Sequence, residues 1–156
     1  MGIKENFTDE EWHQLLSLPY AVSFAIVTAS PSFLGAFGES KTMLTEPSKL
    51  AAASGSDLVD TVSSEMQSRA RELVKQQQDL FKQDKTGYRS KTVEACKAAS
   101  ASLSKIAPKE ATAYKQWVFA VGQKVAEAAK EGGGIVVSEA EQAVLSDISA
   151  AFGISL

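Results

Sequence analysis

The stretch from Leu15 to Phe37 leaves this chain few ways to fold: it is 23 residues long and holds no charged side chain. A run of that length either crosses a bilayer or is enclosed by the rest of the protein, because so much apolar surface is costly to leave in water. Four serines, Thr28, Gly35 and two prolines dilute it, and no Lys/Arg bias at its ends sets an orientation across a membrane. The stretch therefore reads as a buried central helix followed by a snug loop, and no membrane span is expected.

The start of that helix is marked. Thr8 and Glu11 stand at capping-box spacing, and Phe7 and Trp12 occupy the hydrophobic-staple positions around them. Trp12, Leu15, Leu16, Tyr20, Val22, Ala25, Ile26 and Ala29 run on at helical spacing. Pro19 has no N–H and should kink the helix near Leu15, and Ser30-Pro31 is a natural stop.

The rest of the chain must supply the enclosure. Its longest regular pattern runs from Pro108 to Gly134, with proline in the first turn, a glycine stop, and Tyr114, Trp117, Val118, Val121 and Val125 along one face. Ser56 caps a helix whose seam of Leu58, Val59, Val62, Met66, Ala70, Leu73, Gln77 and Leu80 predicts one uninterrupted element to about Lys85. Asp84 to Gly87 reads as a hairpin turn. An alanine-rich helix from Tyr88 to Ala107 follows, with Gly122, Ala126 and Ala129 of the Pro108 helix as its expected close-packing partner. Between Ser32 and Ser54, Gly35, Gly38 and Pro47 predict a short, irregular or kinked helix. Ser138 and Glu141 form a second capping box, opening a last helix through Val144, Leu145, Ile148 and Phe152 that Gly153 ends.

These elements predict an all-α, antiparallel bundle of five to six helices in a single domain spanning residues 1–156. The expected core is Trp12, Leu15, Leu16, Val22, Ile26, Val59, Val62, Leu73, Trp117, Val121, Val125, Leu145 and Ile148.

Three short stretches, W-H-Q-L-L-S-L-P-Y-A-V at Trp12 to Val22 and Y-K-Q-W…V-A-E-A-A-K-E-G-G with V-S-E-A-E…L-S-D-I at Tyr114 to Ile148, carry a likeness. Across most of its length the chain resembles a group of small bacterial all-helical proteins of no assigned activity, which implies a helical bundle and no particular site residues. The last helix, with its Phe152-Gly153-Ile154 ending, is similar to tellurite-resistance TerB-like helical domains, from which the chain departs at Ala29-Ser30-Pro31, where those domains carry acidic residues.

Charge and chemistry narrow the function. A net charge of −3 gives no general pull toward nucleic acid or anionic lipid, and no nucleic-acid partner is expected. The charge is uneven: Arg69 to Lys105 carries nine Lys/Arg against four Asp/Glu, whereas the first 65 residues carry three against nine. One cysteine, Cys96, excludes an internal disulfide and fits a reducing compartment; with acidic residues where a secretory leader needs an apolar run, a cytoplasmic location is expected.

His13, the sole histidine, follows Glu10 by three residues, half of a di-iron bundle signature that works only with carboxylates from other helices; acidic residues in a first turn also simply favour the helix dipole. Cys96 sits among alanines and reads as a small buried residue. There is no G-x-S-x-G, no phosphate-binding G-x-x-x-x-G-K-[ST] loop and no G-x-G-x-x-G, and Gly132-Gly133-Gly134 reads as a flexible stop. No catalytic residue, metal ligand or cofactor is assigned. The chain is expected to be a non-catalytic protein working in protein interaction or assembly, with a second copy of itself as one partner through Leu15–Phe37. The alternative is a binder of a small apolar ligand, its pocket between the first helix and the Pro108 helix and lined by Trp12, Tyr20, Phe24 and Trp117. A third surface, the hairpin tip with Lys82, Lys85, Tyr88, Arg89 and Lys91, offers four positive charges and an aromatic ring as an anion-binding patch.

Overall fold

The structure, a computed structural model, describes residues 3–29, 37–131 and 139–154. Among these a short 3-10 turn at Ile3–Asn6 precedes seven α-helices: α1 Asp9–Ala29, α2 Phe37–Ala52, α3 Asp57–Ser68, α4 Ala70–Gln83, α5 Tyr88–Leu103, α6 Pro108–Glu131 and α7 Glu139–Phe152. The all-α class agrees with the sequence, and the helix count exceeds the expected five to six.

Helix α1, which holds most of the uncharged run, lies at the centre and touches each of the other six. From Leu15 to Ile26 every residue except Phe24 is buried, so this portion of the stretch is enclosed by the chain's own helices. No helix of the described residues is long and apolar enough to cross a membrane. All the expected core side chains are buried, joined by Leu18, Met66, Leu103, Tyr114, Val118 and Phe152 in one continuous core. Full burial of each large aliphatic or aromatic side chain contributes about 1.5–3 kcal/mol.

The capping box forms as expected: Thr8 N–H donates to Glu11 Oε1 at 2.9 Å and Glu11 N–H to Thr8 Oγ1 at 3.1 Å. The Phe7 and Trp12 rings lie 6.0 Å apart beside it. Glu11 does more than cap. Lys105 Nζ reaches both its carboxylate oxygens at 2.6 and 2.8 Å, and Ser102 Oγ donates to it at 3.1 Å, which fastens the start of α1 to the end of α5. Led by the Lys105 bonds and the Thr8 N–H, these contacts hold the Glu11 carboxyl down at about 2, against an ordinary 4.5. A carboxyl depressed by folding stabilises the fold above its unfolded value and loses that contribution as it protonates. Thermal unfolding followed from pH 4.5 down to 2 should therefore show a shallower acid limb for Glu11→Gln than for the parent. Parallel limbs would remove Glu11 from the acid response.

Pro19 does not interrupt α1, which runs unbroken to Ala29. The missing N–H of Pro19 leaves Leu15 C=O without its helical donor, and Tyr114 of α6 supplies one, its hydroxyl donating to that oxygen at 2.7 Å. A second cross-helix bond of this kind joins Trp117 Nε1 to Pro47 C=O of α2 at 2.9 Å. The region expected to hold a short, irregular or kinked helix contains, within the described residues, a helix of 16 residues with Pro47 inside it.

Two further expectations are corrected. The single helix predicted from Ser56 to Lys85 is two, divided at Arg69, whose φ of −116° and ψ of 17° lie outside helical geometry. Ser68 Oγ turns back onto Glu65 C=O at 2.8 Å, a bond that competes with continued helix, and the Arg69 guanidinium then spans the break between Glu65 and Glu72. Gly122 does not face α5. A Cβ there would meet Ile26 Cδ1 at 2.9 Å, Val22 Cγ1 at 3.0 Å and Leu145 Cδ2 at 3.3 Å, so at Gly122 α6 admits α1 and α7; the side chain of Ala129 lies outside the described residues. The alanine-rich α5 packs chiefly on α1 and α7. The cap of α3 forms as expected, with Ser56 Oγ accepting from Val59 N–H at 3.2 Å. Ser30-Pro31, the triple glycine and Ser138 of the second capping box lie outside the described residues.

Candidate functional site

The expected pocket between α1 and α6 is filled. Tyr20 and Trp117 are buried, Phe24 is half-buried against the core, and the approach of Val22 and Ile26 to Gly122 leaves no room between the helices. Trp12 turns to α3, its Nε1 donating to Glu65 at 2.8 Å. Trp12 borders an open hollow with Lys4, Glu65 and Arg69, and Trp117 borders another between α2 and α6.

The hairpin tip also differs from the anion-binding surface expected of it. Tyr88 is 3 % exposed, its ring set edge-on against Phe81, so it offers no face for stacking. Arg89 is bound to Asp147 at 2.6 Å and Lys91 lies 3.5 Å from Asp84. Lys82 and Lys85 stay exposed, and two solvated lysines do not make a basic patch.

A better-formed concavity of about 250 Å³ opens between α1, α4 and α5. From α1 come Glu10, His13, Gln14, Ser17, Leu18 and Ala21, whose three-and-four spacing puts them in one stripe. The α4 wall is Gln76, Gln77 and Leu80, and the α5 wall is Tyr88, Lys91, Thr92 and Ala95, again at helical spacing. The break at Arg69 gives α4 a direction independent of α3, and α4 lies along α1.

The groove carries an ordered polar set. His13 Nε2 and Gln76 Oε1 are 3.0 Å apart, the ring nitrogen donating and the amide oxygen accepting. Tyr88 Oη donates to Gln77 Oε1 at 2.5 Å, and burial pushes the Tyr88 phenol well above its ordinary range, so it stays a donor at neutral pH. Thr92 Oγ1 donates to Tyr88 C=O at 3.0 Å. Ser17 differs from its neighbours: it is 8 % exposed and its buried Oγ has no hydrogen-bond partner. Gln77, at 6 % exposure, is as deeply set.

His13 engages an amide rather than a nucleophile or carboxylate, and among the described residues no three His, Cys, Asp or Glu side chains gather as a metal set. Cys96 lies elsewhere in the core, where burial pushes its thiol up to about 12, so it supplies no thiolate at neutral pH.

Sequence reasoning missed Gln14, Ser17, Gln76 and Gln77. The signal lay in register: Gln77 falls on the apolar seam between Leu73 and Leu80, and Ser17 falls inside the uncharged run. Compared with known proteins, the chain matches no family model, no curated protein and no solved structure.

Proposed function

We propose that this protein is a non-catalytic binding protein that holds a small molecule in the groove between α1, α4 and α5. The observation that carries this reading is Ser17. Buried polar groups in folded proteins are almost always paired, and leaving a hydroxyl unpaired costs about 1–3 kcal/mol. Here the unpaired hydroxyl lies at the wall of a concavity whose other polar groups are mostly tied to one another. A ligand that supplies the missing partner gives the arrangement a purpose that packing alone does not. The volume of about 250 Å³ lies just below the roughly 300–1,000 Å³ of drug-sized ligand sites, which suits a smaller molecule.

A fragment screen by two-dimensional NMR tests the reading. Binders are expected to shift the amides of Gln14, Ser17, Gln77 and Thr92 together. Shifts scattered over the surface, or confined to the hollows beside Trp12 and Trp117, would reject the groove.

A role in protein interaction is the second reading, favoured by Leu44 and Leu80, large apolar side chains exposed by 46 % and 41 %. They lie on separate helices, and two isolated leucines fall far short of the roughly 800 Å² per partner that stable interfaces bury. Sedimentation over a concentration series tests it, self-association being the expected sign.

A further inference from the structure

The hydrogen-bonding inventory of the groove indicates what kind of molecule it takes. A glutamine side chain has one acceptor oxygen and one N–H2 donor. Gln76 commits its oxygen to His13 and Gln77 commits its oxygen to Tyr88, so both amides are left with donors. Thr92 directs its proton at the Tyr88 carbonyl. Ser17 lines the groove and its buried Oγ has no hydrogen-bond partner, and the hydroxyl is free to turn between staggered positions about one bond. The donors left free at this wall are the glutamine N–H2 groups and the Ser17 hydroxyl, and an acceptor on the ligand would meet them.

Charge narrows the acceptor further. Glu10 and Lys91 both border the groove, and the Lys91 ammonium is already 3.5 Å from Asp84. No uncompensated positive charge awaits an anion, and a carboxylate moved out of water without a partner is penalised heavily. Leu18, Ala21, Leu80 and Ala95 supply apolar wall. Resting on the reading that this groove binds a small molecule, we propose that the ligand is a neutral acyl compound, an amide or ester of a short aliphatic acid. Its carbonyl oxygen accepts from the Gln77 N–H2 and the Ser17 hydroxyl, and its chain lies against Leu18, Ala21 and Leu80.

Titration of the full chain with hexanamide, hexanoate and hexylamine, followed by NMR at neutral pH, tests this assignment. Hexanamide is expected to give saturable shifts at Ser17, Gln77 and Leu80. Hexanoate should bind roughly tenfold or more weakly, the carboxylate lacking a partner, and hexylamine, which at this pH has no acceptor, should not bind. Ser17→Ala should weaken hexanamide about fivefold, the worth of one neutral hydrogen bond. The same substitution should raise the melting temperature of the ligand-free protein, since it removes an unpaired buried hydroxyl, so unfolding does not explain the weaker binding. Hexanoate or hexylamine binding the same residues as tightly as hexanamide would overturn the acyl assignment and leave the groove as a binding site. Unchanged hexanamide affinity in Ser17→Ala would overturn the role of Ser17. If none of the three shifts the groove residues, both the assignment and the binding function fall.

Discussion

Gly122→Val should destabilise the protein by about 3 kcal/mol, the upper part of the range for overpacking a filled core. The position has no slack, since even a single added carbon would stand 2.9 Å from Ile26 Cδ1 and 3.0 Å from Val22 Cγ1, with Leu145 at 3.3 Å behind. All three neighbours are themselves buried, so valine's further methyl groups have nowhere to go without moving α1 away from α6. Alanine gives a graded comparison. It gains about 1 kcal/mol of helix propensity over glycine, which offsets part of its overpacking, and should lie between parent and valine. Chemical denaturation of the three proteins measures both steps. A loss under about 1 kcal/mol for valine would show that the three helices separate easily, contrary to the packing described.

Tyr114→Phe should cost about 2 kcal/mol, although it removes one oxygen and leaves the ring in place. The ring is fully buried, and its hydroxyl is the donor that meets Leu15 C=O in place of the absent Pro19 N–H. Phenylalanine leaves that carbonyl buried and unpaired, which carries the full desolvation penalty rather than the modest net worth of an average hydrogen bond. The cause is separable by a double-mutant cycle. Pro19→Ala restores a backbone donor for Leu15, so the tyrosine substitution should be considerably less damaging in that background. Additive losses in the cycle would mean that the Tyr114 hydroxyl does not compensate for the proline.

The enclosure of α1 was legible because an uncharged run has few physical options, and the side chains from Leu15 to Ile26 are accordingly buried. The caps at Thr8 and Ser56 were legible because they are local, needing only residues three apart. The division at Arg69 was not. Met66 and Leu73 are both buried and keep the same spacing on either side of the break, so periodicity runs straight through it. The partners of the alanine-rich helix were equally hidden, since small residues permit close approach without naming the neighbour. For the site, aromatic residues drew attention to α1 and α6, yet large rings are more often core than pocket, and Tyr20 and Trp117 proved to be core. The groove is marked instead by polar residues where the pattern wants apolar ones. Ser17 and Gln77 were visible as exceptions, and only the crossing of α1, α4 and α5 brings them to one place.

The central position of α1 also bears on how the chain is made. A ribosome releases this helix before any of the six that wrap it, with twelve side chains destined for burial still wet. The hydroxyl that completes its backbone belongs to a residue 99 positions downstream. Until that residue emerges, the nascent segment is sticky and unfinished, the kind of surface that holding chaperones cover. Slow translation should therefore lower the soluble yield of this protein more than that of a bundle whose innermost helix is synthesised last.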